Sequence, residues 1–101
     1  MSAAVVTDDI QVILPRWNPP ADASPALVAR WNEYVHRLAE HEQGHVDFVV
    51  ASLPRVEAAI RAATCDTAEA AAQAALVPIR QHDVDYDAAT QHGATQGARF
   101  P

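Results

Sequence analysis

The sequence lacks lysine altogether and has a single cysteine, and both shortages limit what the chain can do. Its 7 basic residues are all arginine, they are scattered along 101 residues, and the formal net charge is −6 at pH 7. Because there is no basic stripe, we expect neither nucleic acid nor an anionic membrane as a partner. Cys65 has no second cysteine to join, so an intrachain disulfide is excluded.

Long hydrophobic runs are also missing. No stretch approaches the ~20 apolar residues of a membrane span, and residues 1–9 lack the basic start and the apolar run of an export signal. We therefore expect a soluble chain with no visible signal peptide. The length predicts one domain, covering residues 1–101.

Half of the residues are hydrophobic, but much of that half is alanine. An alanine-rich core buries little area per residue, and a domain of this size is close to the limit at which burial offsets chain entropy. A bound metal ion would therefore contribute to stability as well as to chemistry.

The N-terminal part of the chain carries a strand signal. Within residues 5–14, Ile10, Val12 and Leu14 occupy every second position, which indicates a strand, and Pro15 ends it. The predicted fold class is therefore mainly α (α+β), with a short N-terminal β-strand ahead of the helical part of the chain.

Two long helices are predicted after this strand. Ser24 followed by Pro25 is typical of a helix start, and a kink or break is expected near Pro54. Residues 64–67 are predicted to form a turn, after which a second helix runs to about Ala89. We expect the second helix to pack antiparallel on the first.

A His-Glu-x-x-His motif lies within the first predicted helix, at His41, Glu42 and His45. The two histidines continue an apolar stripe whose members are alternately four and three residues apart: Leu27, Trp31, Tyr34, Leu38, His41, His45 and Phe48. Histidines at i and i+4 point the same way, so both can reach one zinc ion at ~2.0–2.1 Å. The glutamate beside them can take a proton from water as the water attacks a carbonyl.

A catalytic zinc ion also needs a third protein ligand. The candidates are His36, His82, His92, Asp83, Asp85 and Asp87. If the chain folds back near Cys65, position 87 lies opposite position 43, so Asp87 and His92 are the closest candidates. His36 points away from the apolar stripe, and His82 lies more than a turn before Asp87, so we expect both to be solvated.

Several short motifs accompany the sequence HEQGH at 41–45. They are LPRW at 14–17, Trp31, Cys65 and YDAATQHGATQG at 86–97. In this combination, over about residues 10–100, the chain resembles the bacterial family of predicted secreted zinc-dependent proteases (domain of unknown function 922). The resemblance implies a zincin-like metalloprotease domain and export to the periplasm or the extracellular space.

The chemistry of the tail residues also predicts their roles. His92 is expected to be the third zinc ligand, since neutral imidazole suits zinc, and Asp87 is expected to hydrogen-bond a ligating histidine. The reverse assignment, with Asp87 on the metal, stays open. Tyr86 either donates a hydrogen bond to the oxyanion formed on attack or is a core aromatic residue. Gln96 is expected to be solvated.

Members of that family usually carry further N-terminal strands, of which only the last is expected here. Either the chain is a truncated form, or a second copy of the chain or a strand from a partner completes the sheet. A strand near the metal normally aligns the substrate in such enzymes, so we expect activity to depend on this completion. The predicted function is a zinc-dependent peptidase acting on peptide or protein substrates, with Glu42 as general base. The alternative is a catalytically silent, zinc-stabilised helical binding module.

Overall fold

Two antiparallel α-helices make up most of the structure, a computed structural model that describes residues 3–100. Helix α1 spans Pro25–Ala62, helix α2 spans Ala68–Thr90, and one short 3-10 helix, Ala94–Gln96, follows them. The helix pair is elongated, with principal extents of 63 × 25 × 16 Å. The mainly α character predicted from the sequence is confirmed. Within the described residues, neither helix combines the length and the apolar character that crossing a membrane requires.

Helix α1 begins where its capping residues predict. The Ser24 hydroxyl accepts a hydrogen bond from the Leu27 amide at 3.1 Å, and Pro25 occupies the first turn. The 38 residues of the helix include Pro54, so of the kink or break expected near this residue, the break does not occur. Pro54 removes only the amide that would bond the carbonyl of Val50. Because Val50 lies on the exposed side of the helix, water can replace that donor.

The turn between the helices returns the chain along its own path. The Thr64 amide donates to the Thr67 hydroxyl at 3.0 Å, and α2 starts at the next residue. Positions progressively earlier in α1 then contact positions progressively later in α2, which is the antiparallel arrangement. These pairs are Phe48 with His82, His45 with Asp83 and His41 with Asp87.

Few apolar side chains are buried between the helices. In the part of the chain that the structure describes, the buried hydrophobic residues are Val56, Ile79 and Ala98. Two polar residues, His41 and Ser52, are buried as deeply. The small apolar core agrees with the alanine content, because alanine side chains remove little area from water.

The predicted N-terminal strand does not form. Residues 3–20 have no regular secondary structure, and no strand occurs anywhere in residues 3–100. The β part of the predicted fold class, with the strand over residues 5–14 and the sheet it was to join, is therefore wrong. A strand is held by backbone hydrogen bonds to a neighbouring strand. The rest of the described chain is helical or irregular and provides no such neighbour.

The N-terminal segment instead lies along α1. The Arg61 guanidinium donates to the carbonyl of Ala4 at 3.3 Å, and Trp17 packs edge-on against Trp31 with ring centroids 5.7 Å apart. Positions 31 and 61 of one helix are about 45 Å apart, so residues 4–17 follow an extended path. The segment runs antiparallel to α1 and leaves the Ile13 side chain exposed.

Candidate metal centre

His41 and His45 lie one turn apart on the side of α1 that faces α2. Their rings are nearly perpendicular, at 86°, with centroids 4.9 Å apart. The Nε2 atoms of both rings face the same oxygen of Asp87, at 3.0 Å from His41 and 2.8 Å from His45. One ligand atom from each of the three residues lies within 4.8 Å of the other two. The two helices thus bring two imidazoles and a carboxylate to one point.

The second nitrogen of each histidine ring is also held. His45 Nδ1 is 2.9 Å from Oδ1 of Asp83, and His41 Nδ1 is 2.8 Å from Oε1 of Gln96. Asp83 lies one turn before Asp87 on α2, so both carboxylates face α1. An oxygen acceptor at Nδ1 keeps the imidazole proton there and leaves Nε2 free to bind a metal ion.

The charges in this group of side chains shift one another's pKa values. Desolvation is the largest single influence on His45 and lowers its pKa, but hydrogen bonds to Asp83 and then Asp87 outweigh it and raise the pKa above its ordinary value. Desolvation likewise favours a higher pKa for Asp87, yet the hydrogen bonds to His45 and His41 hold that pKa below its ordinary value. Asp87 is therefore kept as a carboxylate, the form that binds metal ions.

Tyr86 fills the space between the two motif histidines and the α1 backbone. Its ring stacks parallel to His41 with centroids 4.8 Å apart and meets His45 edge-on at 4.7 Å. The hydroxyl donates to the His41 carbonyl at 3.3 Å and accepts from Nε2 of Gln96 at 2.9 Å. A Cβ added at Gly44 would collide with this hydroxyl. The glycine in the motif therefore lets Tyr86 approach the helix and support both rings.

The chain leaves α2 through a turn that folds over His41. Gln91 and His92 have positive φ angles of 51° and 55°, and Gly93 follows at 93°. A Cβ at Gly93 would lie 3.0 Å from Cγ of His41, so glycine allows the turn to pack this closely. The His92 side chain remains 83% exposed, with its Nδ1 3.8 Å from Oδ2 of Asp87. The structure thus brings Asp87, but not His92, together with both motif histidines.

Glu42, the predicted general base, is half-buried next to His41 on α1. Within residues 3–100, its carboxylate forms no hydrogen bond and no ion pair with another side chain. The neighbouring acidic residue Glu40 differs, since it pairs with His36 and Arg37 on the exposed surface. The Glu42 carboxylate is therefore not paired with any other described residue.

Two residues expected to be solvated are not. His82 stacks on Phe48 with ring centroids 3.4 Å apart, and its Nδ1 is buried with no hydrogen-bond partner in the described chain. Gln96 is half-buried and is bonded to His41 and Tyr86. His82 lies four residues before Tyr86, and this spacing could have indicated that it faces the same way. Gln96 belongs to the short 3-10 helix of the tail, which is too short for a periodic pattern to indicate which side chains turn inward.

A family model with the description "bacterial protein of unknown function (DUF922)" matches residues 1–93. This chain belongs to the DUF922 family. The matched stretch includes both helices and all the proposed ligands, and it ends before Gln96. No curated protein and no solved structure matches the chain. The description of the family assigns neither protease activity nor export, so the function of this DUF922 chain has to come from the chemistry of its site.

Proposed function

We propose that this DUF922 chain is a zinc-dependent peptidase. The observation that carries the proposal is the convergence of His41, His45 and Asp87, whose ligand atoms lie within 4.8 Å of one another. Glu42 follows His41 directly in the sequence of α1. A His-Glu-x-x-His motif on one helix is the arrangement with which metallopeptidases place a base next to a metal ion.

The side chains present fit a zinc ion. Imidazole nitrogen and carboxylate oxygen are both zinc ligands, and three protein ligands are typical of a catalytic site. The Nε2 atoms of His41 and His45 already face one oxygen of Asp87, so the three groups share a centre. Both histidines also bond an oxygen acceptor through Nδ1, as metal-ligating histidines almost always do.

For the third ligand, we propose Asp87 rather than His92. The Asp87 carboxylate is within 3.0 Å of Nε2 of both motif histidines. The His92 side chain is 83% exposed, and its Nδ1 lies 3.8 Å from Oδ2 of Asp87. His92 would have to turn inward to reach the same centre, whereas Asp87 lies there already.

In this site Glu42 acts as the general base. When bound, zinc would polarise a water molecule and lower its pKa towards ~7. Glu42 accepts the proton of the attacking water, because its carboxylate is half-buried and unpaired among the described residues. Tyr86 supports the histidine rings. To donate to a substrate oxyanion, it would have to exchange its 3.3 Å bond to the His41 carbonyl.

The experiment that tests the proposal compares Glu42→Gln with Glu40→Gln, a substitution of an exposed glutamate on the same helix. Zinc content and hydrolysis of a denatured protein substrate are measured on the same samples. Glu42→Gln should keep its zinc and lose turnover by about 10²–10⁴-fold, because glutamine has the shape of glutamate without its basicity. Glu40→Gln should keep both. If the zinc-loaded wild type cleaves nothing across a broad peptide library, the proposal that the chain is a peptidase is overturned.

Export, which the sequence resemblance implies, also belongs to this proposal. The test is the location of the natural protein in fractionated cells. An exported peptidase should be found in the periplasmic or the extracellular fraction. Recovery in the cytoplasmic fraction alone would remove export from the proposal without affecting the zinc site.

A zinc-stabilised helical binding module is the second candidate function. It is favoured by the small number of buried apolar residues, since an ion that bridges α1 and α2 would add stability that the core does not supply. A structural zinc ion is closed by four protein ligands, whereas a catalytic one keeps an open position. X-ray absorption of the zinc-loaded protein distinguishes the two. Four protein ligands, together with no hydrolysis, would establish the module.

A further inference from the structure

We propose that Gln96 is a positioning residue of the metal centre, which holds His41 in the tautomer and the orientation that bind zinc. The proposal rests on the zinc site put forward above. It concerns a side chain outside the ligand set and beyond residues 1–93, the stretch that the family model matches.

Three hydrogen bonds join Gln96, Tyr86 and His41 in a closed ring. Oε1 of Gln96 accepts from Nδ1 of His41 at 2.8 Å, and Nε2 of Gln96 donates to the Tyr86 hydroxyl at 2.9 Å. That hydroxyl in turn donates to the His41 carbonyl at 3.3 Å. If the amide were turned over, Tyr86 would have to leave this carbonyl in order to donate to Gln96. The bond from Tyr86 to α1 therefore favours the amide orientation in which oxygen faces the histidine.

The end of the amide that faces His41 decides which ring nitrogen can bind the metal. A neutral imidazole carries one proton, and an oxygen acceptor at Nδ1 keeps the proton there. Nε2 then has a free lone pair, and Nε2 is the atom that faces Asp87. His45 does not depend on an amide, because the Asp83 carboxylate accepts from its Nδ1 at 2.9 Å.

Burial makes His41 more dependent on its protein partner than His45 is. Only 2% of His41 is exposed, so water cannot take over the bond to Nδ1, whereas 18% of the His45 side chain is exposed. Gln96 reaches the buried ring because the chain reverses at Gly93. The Ala98 amide closes this reversal by donating to the Gly93 carbonyl at 3.0 Å. The tail thus presents Gln96 to the His41 ring, which solvent does not reach.

Three variants test the proposal: Gln96→Leu, Gln96→Glu and, as a matched control, Gln73→Leu. Zinc affinity is measured by competition with a chromophoric chelator. Leucine is of comparable size to glutamine but has no acceptor, so Gln96→Leu should weaken zinc binding by about 10–100-fold. Glutamate can accept from Nδ1, so Gln96→Glu should stay close to wild type. Gln73 is exposed on α2 and, among the described residues, accepts a hydrogen bond only from Arg80, so its loss should not change zinc affinity.

A second readout follows the proton directly. Nitrogen-15 NMR of the zinc-loaded protein reports which nitrogen of His41 carries a proton and which binds the metal. Wild type and Gln96→Glu should both show a protonated Nδ1 and a metal-bound Nε2. If Gln96 only held the tail in place, its loss would lower the unfolding temperature, but glutamate would not restore the affinity.

The outcomes separate this proposal from the one on which it rests. If the wild type binds no zinc, the zinc site falls and the role of Gln96 with it. If the wild type binds zinc and folded Gln96→Leu binds it equally well, only the role of Gln96 is overturned. If Gln96→Leu does not fold, the other readouts decide. A His41 ligated through Nδ1 in the wild type, or a weakened Gln96→Glu, would then overturn the proposal.

Discussion

The interface between α1 and α2 has two unlike halves. Near the turn, in the half called here the packed half, the helices bury Val56 and Ile79. In the other half, the polar half, His41 and His45 contact Asp87 through hydrogen bonds of 3.0 and 2.8 Å. The packed half is stabilised by removal of apolar surface from water, which neither a metal ion nor moderate pH changes. The polar half depends on groups that respond to both.

The largest expected effect comes from removing the carboxylate at the centre of the polar half. Asp87→Ala should lower zinc affinity by more than the ~100-fold upper range for loss of a residue that only bonds a ligand, because a direct ligand is lost. His92→Ala should stay within that range. The measurement is chelator competition, with His36→Ala as the control for loss of an exposed histidine. If His92→Ala proves the worse variant, the third ligand is His92 and Asp87 only orients a histidine.

A smaller effect, and one of a different kind, is expected in the packed half. Ile79→Ala should lower the free energy of unfolding by about 2 kcal/mol, at the low end of the usual range for a buried isoleucine because the core is thin. For a domain of this size the unfolding temperature should fall by roughly 10 °C. The loss should be equal with and without zinc, and the zinc affinity should not change. Val77→Ala, at an exposed position of the same helix, is the control.

The contrast between the halves would disappear if Ile79→Ala weakened zinc binding as strongly as Asp87→Ala does. That result would mean that the two halves unfold and bind as one unit. A loss of stability in Ile79→Ala that zinc does not restore would instead sharpen the contrast, because packing and polar contacts would then contribute independently.

The smallest expected effect is the pH dependence of the metal-free protein. The raised pKa of His45 stabilises the folded protein. This stabilisation is complete at pH values below the pKa of His45 in the unfolded chain, and it is lost as the pH rises through the pKa of His45 in the folded protein. The lowered pKa of Asp87 stabilises the folded protein at pH values above the pKa of Asp87 in the unfolded chain. This stabilisation is lost as the pH falls through the pKa of Asp87 in the folded protein. Stability should therefore be greatest between roughly pH 3.9 and 6.5. Chemical unfolding over a pH series measures this optimum.

The same pH series can be run on two variants. His45→Asn should flatten the optimum, since it removes the histidine of the pair. His36→Gln, which changes an exposed histidine, should leave the optimum in place. In the presence of zinc the slope should reverse, because protons compete with the metal for the same ligands and binding strengthens as pH rises. An unchanged optimum in His45→Asn would show that other groups set the pH dependence.

The helical features of the fold could be predicted because their causes are local. Ser24 and Pro25 mark the start of α1 through a cap and a fixed φ angle, and both act within one turn. The alternating spacing of four and three residues placed His41 and His45 on the inward face, where the structure has them. The choice between His92 and Asp87 stayed open, because it depends on the path of the chain after α2.

The remaining features could not be predicted because their causes are distant or absent from the chain. The alternation of Ile10, Val12 and Leu14 fits a strand, but no described neighbour pairs with it. At Pro54, one missing backbone hydrogen bond does not stop a helix of 38 residues. Gln96 reaches His41 only because the tail reverses at a glycine with a positive φ angle. Such a reversal is set by the folded surroundings and not by a repeating pattern.

The turn at residues 63–67 also gives the helix pair an order of assembly. Residues that contact each other beside the turn are near neighbours along the chain. In the metal centre, by contrast, His45 and Asp83 are 38 residues apart, and His41 and Gln96 are 55 residues apart. Closing a short loop costs less entropy than closing a long one, so we expect the helices to associate from the turn outwards. The candidate metal centre lies far from the turn, near the C-terminal end of α2, where we expect the helices to separate first. An ion bound there would join the two helices and slow their separation from this end.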